Sequence, residues 1–255
     1  MTEGLNPQDR LLAKTIEAIS LKAWPAAREF TFDGWLLRFS GGYTGRANSI
    51  NVLKEGEIPL GQKFIWCEGT YREQKLPCLF RFTSIDETEH IQEALHARTY
   101  KMRSPTMVEV LESLPEPGED PPGWKINVGQ PGEWLTHFRR MDTTPENELA
   151  PQEALLNRIS APNAFAWIEL GGQAVACGQV IITDGYAGLF DLVTDTAFRR
   201  QGLGRQMVQG LLNWAVQNGA KGAYLQVLGE NVPARGLYKK MGFRHLYDYQ
   251  YWQTP

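Results

Sequence analysis

Apolar residues recur along this chain at two spacings, and the switches between them mark out its elements. Between residues 8 and 23, Leu11, Leu12, Ile16 and Ile19 fall on one helical face, which ends near Pro25. FDGWLLRFS reads as a strand, GGYTGR as a turn and ANSINVL as the returning strand, which together predict a hairpin. CLFRFTS predicts a strand, ETEHIQEALHARTY a helix and TMVEVLES a strand. At 114–124, LPEPGEDPPGW breaks both rhythms with four prolines and two glycines, the composition of a linker or a long surface loop. Beyond it, a helix is expected over 147–160, then the strands AFAWIEL, QAVACGQVIITD and GLFDLVTD, with Gly172 turning the first into the second. A helix over 202–218 carries Leu203, Met207, Leu211 and Ala215 on one line and Val208, Leu212 and Val216 on the next, and Asn218-Gly219 stops it. Strand GAYLQVL, a helix over 233–241 and strand HLYDYQYW follow. This alternation is that of an α/β (α+β) fold. The break divides it into residues 1–114, a Pro/Gly-rich linker at 115–130 and residues 131–255.

Composition narrows the class. The 255 residues are 42% hydrophobic and 22% charged, ordinary for a globular protein, and the net charge of −3 gives no basic footprint for nucleic acid. Cys67, Cys78 and Cys177 are odd in number and widely spaced, which argues against a disulfide framework and for a reducing cytoplasm. MTEGLNPQDR lacks the charged-then-apolar character of a signal peptide, and no run approaches the roughly 20 apolar residues of a membrane span. No membrane partner is therefore expected. His90, His96, His137 and His245 show no ligand spacing, so no metal is expected, and GxSxG is absent.

Against this acidic background, RRQGLGRQ at 199–206 places Arg199, Arg200 and Arg205 around a helix start. That end of a helix carries unpaired N–H groups and a partial positive charge, so cations are disfavoured there unless an anion joins them. Gly202 and Gly204 lack a Cβ, which lets a ligand approach the backbone closely; a diphosphate fits such a cradle better than a carboxylate. The preceding strand GLFDLVTD runs straight into it, and α/β sheets bind ligands at the carboxyl ends of strands. Farther on, Asn231 and Tyr238 stand about two helical turns apart, near one face of the helix that Pro233 opens. Each has an ordinary structural reading as well, Asn231 as a helix N-cap and Tyr238 as a core tyrosine.

Together these stretches resemble the GNAT (Gcn5-related N-acetyltransferase) superfamily. Its acyl-CoA motif Q/R-x-x-G-x-G/A is met by Arg199, Gly202 and Gly204. Its second motif, N-x-x-A-x-x-x-Y-x-x-x-GF, is met by Asn231, Ala234, Tyr238, Gly242 and Phe243. The resemblance is specific over about 185–245 and looser from 135 onward. It implies a mixed, mostly antiparallel sheet flanked by helices. It also implies that the backbone of Arg200, Gln201, Gly202, Leu203, Gly204 and Arg205 holds the diphosphate of coenzyme A, while Leu192, Val193 and Thr194 pair with the pantetheine arm. Asn231 would bond that arm and Tyr238 would protonate the departing thiolate. Some members carry a glutamate base five residues before the asparagine; here that position is Gln226, which cannot take a proton. An alkylammonium near pH 10 needs a base at neutral pH. Asp191, an acid within an apolar strand, is the leading substitute, with Glu169, Glu230 or ordered water behind it; pairing with an arginine or backbone donors is its structural alternative.

The N-terminal segment resembles the first half of bacterial two-domain GNAT proteins, a degenerate copy of the fold, with HARTYKM echoing LYKKMGF. GGYTGRAN reads first as a glycine-rich turn, and otherwise as a pocket wall carrying Tyr43, Arg46 and Asn48, with Arg46 the substrate-binding candidate. Trp24, Trp35, Phe39 and Trp66 are expected in the core. The function implied is acetyl-CoA-dependent N-acetylation of a small-molecule or protein amine, by direct transfer in a ternary complex, in a monomer or homodimer. The alternative is a non-catalytic acyl-CoA sensor of the same fold.

Overall fold

The computed structural model describes residues 5–254. Asn6 caps the first helix, α1 (Pro7–Ala23), its Oδ1 accepting the Asp9 N–H at 2.8 Å, and Pro7 opens the first turn without losing a bond. A hairpin, β1 (Arg28–Phe32) and β2 (Trp35–Phe39), leads to β3 (Ile50–Val52), α2 (Leu60–Glu73), β4 (Leu79–Thr83), α3 (Glu89–Ala97) and β5 (Lys101–Leu111). After the proline-rich loop come β6 (Trp124–Val128), α4 (Trp134–Met141), α5 (Glu146–Leu156), β7 (Asn163–Leu170), β8 (Gln173–Thr183) and β9 (Tyr186–Thr194). The arginine-led α6 (Leu203–Gln217), β10 (Gly222–Leu228), α7 (Val232–Lys240) and β11 (Arg244–Gln253) complete the order.

Among the described residues, eleven strands join one mixed sheet, in the order β1-β2-β3-β4-β11-β5-β10-β9-β8-β7-β6, and only β3–β4 and β9–β10 pair in parallel. From β1 and again from β7 the two segments follow one plan: three antiparallel strands, a helix, a parallel fourth strand, a second helix and a last strand; the second segment adds β6, antiparallel to β7, ahead of it. The last strands are exchanged. β5 pairs with β10 of the second segment, and β11 with β4 of the first, while β5 and β11 pair with each other.

Helices cover both faces. The apolar stripe of α6 (Leu203, Met207, Val208, Leu211, Leu212, Ala215) buries against β7 to β10. On the opposite face α1 and α4 cover Phe165, Cys177, Phe190 and Tyr224. A third cluster seals α2 and α3 onto β2 and β4 through Phe64, Tyr71, Phe80 and Leu95. On the face that α1 covers, Arg81 of β4 is buried and held by both carboxylate oxygens of Glu17 on α1, and Glu17 also accepts from the Tyr247 hydroxyl of β11 at 2.7 Å.

Several sequence expectations are corrected. FDGWLLRFS is not one strand: Asp33 and Gly34 both have positive φ (43° and 86°), making the tight turn between β1 and β2. The sequence pattern does not predict the helices α2 and α4, and β6 lies inside the expected linker 115–130. Trp66 is 40% exposed, stacked on Phe32 with centroids 3.9 Å apart, whereas Trp24, Trp35 and Phe39 are buried. The loop before β6 is pinned: the Asn213 side chain of α6 accepts from the Gly118 N–H at 3.1 Å and donates to the Glu119 carbonyl at 3.0 Å. Among the described residues, no helix is long and apolar enough to cross a membrane.

Candidate active site

The sheet opens where β9 and β10 part. They pair from Tyr186↔Gly222 only as far as Leu189↔Leu225, after which each keeps a single sheet partner, β8 for β9 and β5 for β10. The cause is a bulge at Asp191 and Leu192, with Asp191 at φ 50°, opposite Gly178 of β8. Gly178 suits the close packing there, since a Cβ would stand 2.8 Å from Leu192 Cδ2 and 3.0 Å from Leu211 Cδ1 and those side chains would have to shift. The parting leaves the backbone of residues 192–194 without a strand on one side, an edge that an extended ligand can pair with.

A cavity of about 180 Å³ fills the gap, lined by Arg46, Phe190, Asp191, Gln226, Asn231 and Tyr238 with neighbouring leucines. Asp191 is half-buried and its Oδ2 is inaccessible and without a hydrogen-bond partner among the described residues. Burial pushes its carboxyl up to about 6, against the opposing pull of Arg46. Tyr238 is buried, and burial first, then the proximity of Glu109, pushes its phenol up to about 12. Glu109 of β5 is itself buried with Oε2 unpartnered, and burial raises its carboxyl against Arg235 and His245.

Arg46 reaches this cavity from the first segment. Its Nε donates to Gln226 Oε1 at 2.6 Å, and its guanidinium lies 5.3 Å from the Trp24 ring centroid and 5.6 Å from that of Phe190. Burial acts to lower its pKa, but Tyr249, Tyr251 and Asp191 outweigh that and hold it above its ordinary value. Gln226 accepts a second bond from the Tyr249 hydroxyl at 3.3 Å, so the amide standing at the glutamate position is clamped by its oxygen. The loop that delivers Arg46 is fixed by Asn48, whose Oδ1 accepts the N–H groups of Ser40 (2.7 Å) and Gly42 (3.0 Å). Asn48 thus shapes the turn, and Tyr43 is tied through its hydroxyl to Gln152 at 3.1 Å.

Beside the cavity, α6 begins at Gly202 with φ 83° and no side-chain cap. The N–H groups of residues 199–205 donate to no other described residue, and the first helical turn has no intrahelical acceptors for them. A Cβ on Gly202 would meet nothing within 4 Å, so the space over this backbone is open. Arg199, Arg200, Gln201, Gly202 and Arg205 are exposed, with Arg199 Nε donating to the Thr194 carbonyl at 3.3 Å. Leu203 packs into the core and offers only its backbone. Gly204 and Ala234 are half-buried.

The structure therefore gathers Arg46, Asp191, Asn231 and Tyr238 in one cavity, next to the open edge at Leu192–Thr194. Asn231 both caps α7, accepting from the Ala234 N–H at 3.3 Å, and lines the gap. Glu169 and Glu230 stand apart: Glu169 bonds the Gly123 loop from β7, and Glu230 is exposed outside the lining. Glu109 and Tyr249 join the constellation without having been singled out by the sequence; a lone acid within the apolar TMVEVL was the available sign of the former. A larger concavity of about 770 Å³ opens near the ends of α2 and α3, but it contains none of the motif residues.

Comparison with known proteins identifies the family and the fold. The family model described as probable histone acetyltransferase Rv0428c C-terminal matches residues 13–252. The uncharacterized N-acetyltransferase YobR of Bacillus subtilis is 27% identical over 242 residues, 93% of this chain and 97% of that protein. A ribosomal protein bS18-alanine N-acetyltransferase of Escherichia coli is 34% identical over 70 residues, 28% of this chain and 46% of that one. The fold is shared with a GCN5-related N-acetyltransferase from Kribbella flavida (TM-score 0.68, 15% identity, 96% of each chain). It is also shared with a tandem GNAT protein from the clavulanic acid biosynthesis pathway (TM-score 0.58, 13% identity, 86% of this chain and 77% of that one).

Proposed function

The chain belongs to the acetyltransferase family described as Rv0428c C-terminal, and so to the GNAT superfamily of N-acetyltransferases; on that premise we propose that it moves an acetyl group from acetyl-CoA directly to a primary amine in a ternary complex. The observation that carries the proposal is the cavity where β9 and β10 part, which holds an acid and a carboxylate poised near neutrality beside a run of free backbone amides. The unpaired N–H groups at the start of α6 receive the diphosphate, with Arg199, Arg200 and Arg205 around it. The open edge of β9 pairs with the pantetheine arm, and Asn231 borders it.

The chemistry then needs a free amine and a way to release a thiolate. Asp191, largely ionised at pH 7, takes the proton of the incoming ammonium; the amine nitrogen attacks the thioester carbonyl, a C–N bond forms and the C–S bond breaks. Tyr238 remains protonated to high pH and donates to the sulfur, and the second proton that the attacking nitrogen sheds on becoming an amide restores the phenol. Cys67, Cys78 and Cys177 are buried and face no step of this route, which supports direct transfer. The first segment acts as a degenerate copy of the fold that supplies Arg46 to the acceptor side. The clamped amide of Gln226 favours a second reading, an acyl-CoA-binding protein without turnover. Calorimetric titration with acetyl-CoA, followed by thiol release with an amine panel, decides between them: binding with amine-dependent thiol release supports transfer, binding alone supports the sensor, and no binding refutes both.

A further inference from the structure

Two opposite charges line the cavity, and neither is satisfied. Asp191 makes no hydrogen bond through either carboxylate oxygen to any described residue; its Oδ2 is inaccessible, so Oδ1 is the oxygen open to a ligand. Arg46 uses Nε on Gln226, while its two terminal nitrogens donate to no described residue. The two groups do not ion-pair with each other, although each lies close enough to influence the other's charge. Leaving both charges partly desolvated and unpaired is costly unless a ligand completes them. The guanidinium lies near both Trp24 and Phe190, whose rings meet edge to face, and Gln226 holds its Nε, so the terminal nitrogens are the part of the fork left for a ligand.

Resting on the acetyltransferase reading, we propose that the acceptor is an α-amino acid, its carboxylate received by the terminal nitrogens of Arg46 and its ammonium by Asp191. A planar fork donating two parallel bonds is the strongest side-chain receptor for a carboxylate. The size agrees: about 180 Å³ has room for roughly six waters, which suits an ammonium, a carboxylate and the acyl carbonyl but not a bulky scaffold, whose remainder must lie outside. A lysine side chain, or the amino terminus of a peptide, brings no carboxylate next to its amine and leaves Arg46 unpaired. The step balances as amino acid ammonium plus acetyl-CoA giving N-acetyl amino acid, free thiol and one proton, the proton leaving through Asp191.

The test uses matched acceptors with the full chain: each proteinogenic amino acid against its own carboxamide, measured by thiol release and, independently of turnover, by calorimetric binding to the protein saturated with CoA. The expected result is at least a tenfold preference in kcat/KM and in affinity for the carboxylate member of a preferred pair. Arg46→Gln should collapse that ratio toward one while acetyl-CoA affinity confirms a folded protein. Carboxamides bound and acetylated as well as the acids would overturn the inference and leave the acetyltransferase reading standing. A ratio unchanged by Arg46→Gln, or no carboxylate-dependent binding to the CoA complex for any pair, would overturn it as well. Failure to bind acetyl-CoA would instead remove the reading beneath it.

Discussion

Replacing Asp191 by asparagine should stabilise the fold while disabling the site. The Asp191 carboxyl is raised from 3.8 to about 6, mainly by burial. Between those pH values the folded chain binds a proton that the unfolded chain has lost, so wild-type stability declines as pH rises through this window and the deficit is complete above it. Two units at roughly 1.4 kcal/mol each put the deficit at about 2–3 kcal/mol at pH 7. Asn keeps the shape and removes the charge, so Asp191→Asn should recover most of that energy, several degrees in Tm for a chain of this size. Denaturant titrations of both proteins from pH 4 to 8 measure it: the difference should be small near pH 4, open up through pH 6 and stay flat above 7. The same variant should lose on the order of 10²–10⁴ in kcat, and the wild-type rise in rate near pH 6 should vanish from its pH profile. A variant that is less stable at pH 7 and retains wild-type kcat would refute both the buried-charge and the proton-acceptor arguments.

Other expectations follow from the same geometry. Tyr238→Phe should lower kcat by about 10²-fold or more with acetyl-CoA affinity changed less than about twofold, read by steady-state kinetics and calorimetry. Gly202→Val should abolish acetyl-CoA binding at a stability cost of only about 1–2 kcal/mol, because the open space above Gly202 leaves its φ of 83° as the only strain; normal binding by a folded variant would remove the diphosphate assignment. Glu17→Ala should cost about 3–5 kcal/mol in denaturant unfolding, since it strands the buried Arg81 guanidinium and the Tyr247 hydroxyl. Cys78 and Cys177 are buried, with thiols pushed up to about 12 by that burial, so an aromatic disulfide reagent should label them only on unfolding, and acetyl-CoA should leave no thioester on the chain.

The parts of the site built from local chemistry were legible in the sequence. RRQGLGRQ predicts an uncapped, cation-flanked helix start, and α6 begins at Gly202 with its amides free. Asp191 stands out as an acid in an apolar strand, and its raised pKa has that cause. What escaped was tertiary. No local signal links Arg46 to Gln226, 180 residues apart, because the contact is made by the loop geometry that Asn48 imposes. Helix α2 hid because Ile65 and Trp66 are exposed, 65% and 40%, which blurs the stripe of Phe64, Cys67 and Tyr71. The strand β6 hid for another reason, since it is an edge strand with little buried surface beside a proline-rich loop. The Asp33-Gly34 pair is different: Asp-Gly between apolar runs is a strong hairpin signal, and the alternation around it masked the turn.

The exchange of β5 and β11 has a consequence for how such a chain is made and inherited. During synthesis the first four strands emerge long before residues 244–253, so β4 waits with an open edge until the last strand is delivered. A nick in the proline-rich loop would give two fragments, each lacking the strand that closes its own sheet and carrying the one that closes the other's. Such fragments should be poor monomers and good complements, recovering a whole sheet only as a pair. Over evolutionary time the same exchange binds the segments to one another. The first cannot be discarded without opening the sheet of the second, because the strand bordering β10 is β5.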